Sequence, residues 1–218
     1  MALFSRSPIA LLFLLGAIAA SAQQSAPIVQ PGAPGEPGRF LTETTVRTPP
    51  RAPFQADVEF MQGMIMHHSQ AVEMVALLRT RGKSPILKSF GEKISISQTD
   101  EIGYMKRWLE TRGKPATMEM DHSRISAGDM KNMNMLMPGM LTPQQMSDLA
   151  KARGAQFDHL FLTGMIQHHG GALTMVDDLF NTPGAGQDPV LFDFATDITN
   201  TQSAEIKIMR GMLDKEKK

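Results

Sequence analysis

The sequence predicts an all-α fold, a four-helix bundle made of two repeated helical hairpins. Three observations carry this. The pattern Asp57-x-x-Phe60-x-x-Gly63-Met64-Ile65-x-His67-His68-x-x-Ala71-x-x-Met74-Val75 returns 101 residues later as Asp158-x-x-Phe161-x-x-Gly164-Met165-Ile166-x-His168-His169-x-x-Ala172-x-x-Met175-Val176. A second pattern, Ile86-Leu87 followed by Phe90, Ile94, Gln98, Glu101-Ile102, Met105 and Leu109, returns 104 residues later as Val190-Leu191 followed by Phe194, Ile198, Gln202, Glu205-Ile206, Met209 and Leu213. Signals for strands are nearly absent. Two copies are too few for an extended solenoid, so the hairpins are expected to pack on each other.

With 218 residues, 42% apolar and 20% charged, the chain can bury a core. Its 22 basic and 22 acidic residues cancel, which argues against a nucleic-acid partner, since phosphate binding draws on a basic excess. The absence of cysteine excludes a disulfide scaffold, a thiolate zinc site, thiol catalysis and a cysteine-held iron–sulfur cluster. Methionine, at 18 residues, is the outlier, and it is the one soft sulfur ligand this chain has.

Taken in order, residues 1–22 read as a secretory signal peptide: Arg6, an apolar run from Ile9 to Ile18, then the cleavage pattern Ala20-Ser21-Ala22. The run is short for a membrane span. The mature chain is therefore expected in the periplasm or outside the cell, cleaved near Ala22 and not inserted in a membrane. Residues 23–53, rich in Pro, Gly, Gln and Ala, are expected to form a disordered tether. The duplicated domain is expected over 54–214, with hairpins at 54–110 and 142–214 and a methionine-rich connection at 111–141. Ser84-Pro85 and Asp188-Pro189 each set a capping side chain before a proline at the first helical position. Gly113 and Pro115 end the second helix, and Thr142-Pro143-Gln144-Gln145 is a capping box opening the approach to the second copy. The connection is long enough to run the length of a bundle, which would relate the hairpins by a pseudo-two-fold.

At 100° per residue, Asp57, Met61, Met64, His68, Ala71, Val75 and Leu78 share one stripe of the first helix, with His67 about 80° to one side. His68 thus points where the core should be, one turn after a thioether, and His169 stands likewise after Met165. On the second helix Gln98 and Glu101 replace apolar residues on the inward stripe, and Gln202 and Glu205 repeat the anomaly. Such groups cost several kcal/mol when buried without partners. Met64 with His68, and Met165 with His169, are close enough to share an ion. His67 and His168, splayed from their neighbours, are expected to serve different partners. If the two first helices meet antiparallel, His68, His169, Glu101 and Glu205 would converge near the pseudo-axis, an arrangement like carboxylate–histidine sites inside bundles, although Glu-x-x-His spacing is missing. The Gln and Glu side chains either ligate directly or hydrogen-bond the histidines. Asp57 and Asp158 read as first-turn acids that complement the helix dipole, and Gly63 and Gly164 as points of close helix approach. In the connection, Met118, Met120 and His122 precede Met130, Met133, Met135, Met137 and Met140. These thioethers suit Cu(I) or Ag(I), or else form an adaptable packing surface.

These paired motifs, Gly63-Met64-Ile65-x-His67-His68 and Gly164-Met165-Ile166-x-His168-His169, resemble the signature of the bacterial family known as domain of unknown function 305, over roughly residues 54–214. The resemblance implies a ferritin-like four-helix bundle, usually exported, and, for some members, periplasmic copper or silver binding linked to copper tolerance. The second copy departs from the first where Leu162 and Gln167 match Met61 and Met66, so the halves are expected to differ in affinity. The leading functional reading is an exported protein that sequesters or traffics copper, Cu(I) above all. It needs no organic cofactor, and copper-handling proteins are its candidate partners. The alternatives are a ferritin-like metal oxidase with a His/Glu site, and a structural or partner-binding bundle without metal.

Overall fold

The computed structural model describes residues 28–30, 37–41, 52–117 and 136–216. The chain divides into two units, Met1–Arg51 and Ala52–Lys218. In the first, strands β1 (Ile28–Gln30) and β2 (Arg39–Leu41) pair antiparallel, with Val29 opposite Phe40. Both of these side chains are exposed, and the hairpin lies inside the segment read as a tether.

The second unit is helical: α1 (Gln55–Arg81), α2 (Pro85–Glu110), α3 (Pro143–Lys151), α4 (Gly154–Asn181) and α5 (Pro189–Glu216). The capping signals act as their chemistry dictates. The Ser84 hydroxyl accepts from the Leu87 N–H at 3.2 Å. Asp188 Oδ1 accepts from the Val190 and Leu191 N–H groups, each at 3.0 Å. Thr142 and Gln145 form a reciprocal box, which starts the short fifth helix α3 in addition to the four of the repeats. Gly113 takes a left-handed φ of 65° just beyond α2, a conformation glycine adopts without steric cost.

Helix α2 packs along α1 and α5 along α4, and the hairpins meet chiefly through α1 and α4. The two central helices run antiparallel, since the start of each is bonded to the loop beyond the end of the other. Asp158 accepts from the Lys83 and Ser84 N–H groups at 2.9 and 2.8 Å, and Asp57 accepts from the Gly186 N–H at 2.7 Å. Both aspartates are buried. They latch the hairpins together; Asp57 stands in the first turn of α1 as the sequence expects, whereas Asp158 lies beyond the first turn of α4, which corrects the expectation for that residue. Replacing Asp158 with alanine strands two backbone donors, and the expected loss is about 2–3 kcal/mol. Urea unfolding of Asp158→Ala beside exposed Asp177→Ala measures it, and equal midpoints would refute the latch.

The interior is two apolar clusters. One gathers Met61, Met64, Met105, Trp108, Ala172, Leu191 and Ile198. The other gathers Ala71, Leu78, Ile94, Phe157, Met165, Ile206 and Met209. Each buried Leu, Ile, Met or Phe among them contributes roughly 1.5–3 kcal/mol. On every long helix the change from one cluster to the other falls at the same level: at His67-His68 on α1, Gln98 and Glu101 on α2, His168-His169 on α4, and Gln202 and Glu205 on α5. A polar layer therefore crosses the bundle at mid-height.

Candidate metal centre

His67, His68, His168 and His169 are each 0% exposed. Their eight ring nitrogens divide evenly. Every Nε2 has a partner: His67 donates to the Pro138 carbonyl at 3.0 Å, and His168 to the His67 carbonyl at 2.8 Å. His68 meets Glu101 Oε2 at 2.6 Å, and His169 meets Glu205 Oε2 at 2.7 Å. Every Nδ1 is buried without a hydrogen-bond partner. A carbonyl only accepts, so Nε2 carries the proton in His67 and His168, and Nδ1 keeps its lone pair. Imidazoles that hold metals are oriented in this way, one nitrogen fixed by a carbonyl or carboxylate and the other left to ligate.

The rings of His67 and His168 lie against each other where α1 crosses α4, with centroids 3.7 Å apart. Two imidazolium ions could not share that contact. Burial, reinforced by His68 and His169 against the Pro138 carbonyl, holds His67 down at about 3. Burial likewise pushes His168 well below the ordinary range, followed by the charges of His67, His169 and His68. Both are neutral near pH 7, so a cation displaces no proton from them. The pair at the centre is thus His67 with His168. The expected convergence of His68, His169, Glu101 and Glu205 gives way to two separate His–Glu pairs.

Glu101 and Glu205 keep one edge toward solvent, at 22% and 14% side-chain exposure, and Ser97 donates to the second oxygen of Glu101 at 2.9 Å. Each glutamate orients an imidazole. Among the described residues no three His, Asp or Glu side chains draw together as a chelating group, so a metal held in this layer would need other donors as well. Met64 and Met165, both fully buried, supply thioethers. Helical Cβ atoms tilt toward the N-terminus, which leans His68 toward the turn of Met64 and His169 toward that of Met165.

The layer is closed on one side by the end of the connection. Gln70 grips Leu141, accepting from its N–H at 2.7 Å and donating to its carbonyl at 3.0 Å. Gln167 donates to the carbonyls of Gly139 and Met140 at 3.2 and 3.3 Å, which gives a structural use to its departure from Met66. The other end of the connection is fixed to α1, where Gln62 donates to the carbonyls of Pro115 and Thr117 at 2.8 and 3.1 Å. Met137 is half-buried against the cluster around Met64 and Met105, a packing position. Met118, Met120, His122, Met133 and Met135 lie outside the described residues. Gln62, Gln70, Pro138 and Gly171 were missed in the sequence. The visible signal was Gly170-Gly171 standing where the first copy has Ser69-Gln70.

Fold and layer together define a duplicated helical bundle with four imidazoles across its middle. The chain belongs to the family described as Domain of unknown function (DUF305), which it matches over residues 57–213. It resembles a DUF305 protein from Streptomyces coelicolor that is thought to be secreted, at 28% identity and TM-score 0.61, covering 73% of this chain and 93% of that one. It also resembles CopM, whose Cu(II)-bound form matches at 28% identity and TM-score 0.57 over 73% of this chain and 96% of that one. CopM has also been solved with Cu(I) and with silver. A curated relative, uncharacterized protein L153 of Acanthamoeba polyphaga mimivirus, is 39% identical over 59 residues, which span 27% of this chain and 39% of that protein. No described helix is long and apolar enough to cross a membrane.

Proposed function

We propose that this protein is exported and binds copper, Cu(I) foremost, to sequester or traffic it. The observation that carries the reading is the set of four buried Nδ1 atoms without partners, with the buried methionines Met64 and Met165 one turn before His68 and His169 on the same helices. Neutral imidazole and thioether suit a soft monovalent ion. The carboxylates of Glu101 and Glu205 are bonded to the far side of the outer imidazoles and offset the charge of a cation bound there. The likeness to CopM, solved with Cu(I), Cu(II) and silver, supports the metal. The leader-like residues 1–22 and the Streptomyces relative support export.

The test is anaerobic competition for Cu(I) between the mature protein and a chromogenic chelator. The variant with Met64, His68, Met165 and His169 all changed to alanine is expected to hold Cu(I) at least about tenfold more weakly. Competition unchanged in that variant would remove the bundle layer from the proposal.

A further inference from the structure

We infer that Gln98 and Gln202 are oxygen donors of the same centre, one in each half, and that they give it a hold on Cu(II) as well as Cu(I). The inference rests on the copper reading above. Both residues stand on inward stripes and are 2% exposed. Gln98 lies between Ile94 and Met105, which belong to opposite apolar clusters, and Gln202 between Ile198 and Ile206 in the same way. Both amides are therefore in the histidine layer.

Neither Gln98 nor Gln202 has a hydrogen-bond partner for its amide oxygen or its amide nitrogen. Buried amides are nearly always paired, and an unpaired one is destabilising. Here the exception occurs twice, at equivalent positions. The layer has partners to offer, because Glu101 and Glu205, one turn further along the same stripes, find His68 and His169. The amides do not reach the imidazoles, whose Nδ1 atoms also stay unpaired. The Nδ1 atoms of His67 and His168 and the two amide oxygens thus present lone pairs in one buried layer, where the Nδ1 atoms of His68 and His169 also have no partner. Lone pairs repel one another unless a proton or a cation stands among them, and although the amide N–H groups of Gln98 and Gln202 lie in the same layer they make no hydrogen bond to these atoms.

The chemistry of the amide says which cation gains most. Thioether and imidazole alone suit Cu(I), whereas Cu(II) prefers nitrogen and oxygen. The two carboxylates of the layer are engaged with imidazole Nε2–H groups. The carboxamide is then a hard donor buried in the layer and still without a partner. Being neutral, it can stand buried in the metal-free protein without the cost of an isolated charge.

The experiment compares the wild-type mature protein with Gln98→Leu/Gln202→Leu. It reads Cu(II) affinity and the electron paramagnetic resonance spectrum, Cu(I) affinity by chelator competition, and the thermal midpoint without metal. Expected are an altered Cu(II) hyperfine pattern, Cu(II) affinity lower by about tenfold or more, and Cu(I) affinity within about threefold of wild type. The metal-free midpoint is expected to rise, because leucine replaces an amide that has no partner. Gln98→Met/Gln202→Met preserves volume and exchanges oxygen for sulfur. It is expected to lose Cu(II) affinity as the leucine pair does and to bind Cu(I) more tightly. An unchanged Cu(II) spectrum and affinity in either pair, with normal Cu(I) loading, overturns the inference and leaves the copper reading standing. A fall in the metal-free midpoint of the leucine pair, with Cu(II) affinity retained, shows amides satisfied within the folded chain and overturns it too. Wild-type protein that takes up neither ion overturns both.

Discussion

Between pH 6.5 and pH 5 the metal-free protein is expected to lose stability steeply, well before carboxylates titrate. His67 is held at about 3 in the fold against an ordinary value of 6.5, and His168 is pushed the same way. In this window the unfolded chain binds protons that the folded chain refuses, so stability falls as pH falls. The contribution is fully present above 6.5 and is lost progressively on the way down toward the folded value. Each histidine accounts for about 1.4 kcal/mol per pH unit, and the full loss from His67 alone is on the order of 5 kcal/mol. That is a large part of the stability of an ordinary domain. The check is a series of urea titrations from pH 8 to pH 5. His67→Gln/His168→Gln keeps a side-chain N–H for the Pro138 and His67 carbonyls but cannot titrate. It should flatten the slope by nearly two protons, and an identical slope would show that the stacked pair is not what refuses the protons. Copper bound at Nδ1 should widen the stable range toward acid, because a ligand that binds only the folded state stabilises it.

The repeat made most of this architecture readable. Two copies of one spacing located both hairpins, and the Ser84 and Asp188 caps fixed where their second helices begin. The Glu and Gln anomalies on α2 and α5 were also visible, because a polar residue on an apolar stripe stands out in one dimension. What each would touch was not. Glu101 and Gln98 are one turn apart on the same stripe, yet the first bonds an imidazole and the second bonds nothing. The difference lies in how α2 sits against α1, which spacing does not encode.

The central pair was misjudged for a related reason. A helical projection separates an apolar face from a polar one. Helix α1 is buried on almost every side between Asp57 and His68, so the sector holding His67 is as interior as the sector holding His68. The first faces α4, the second α2. Backbone acceptors left still less trace. The Pro138 carbonyl reaches His67 across 71 positions of sequence, and any residue there would have offered the same oxygen.

Gly171→Ala should be the most damaging single-methyl change in the protein, and Gly170→Ala next to it should be harmless. A Cβ on Gly171 would stand 1.8 Å from the Pro138 oxygen and 2.5 Å from the Gly139 Cα. These are backbone atoms of a segment held by Gln70 from α1 and by Gln167 from α4 itself, so they cannot swing away as a side-chain tip does. The segment 138–141 must lift, breaking the bond from His67 Nε2 to Pro138 and loosening the Gln70 grip. A loss of about 3 kcal/mol or more is expected. Gly170 has nothing within 4 Å of its Cβ position, so alanine there should stabilise by up to about 1 kcal/mol through helix propensity. The same pair of variants tests how the layer is sealed. If segment 138–141 keeps water from His67, Gly171→Ala should also reduce the acid sensitivity, since a hydrated imidazole titrates nearer its ordinary value. Equal midpoints for the two alanine variants would mean that the segment yields freely, and the seal over the histidines would then have to come from elsewhere in the bundle.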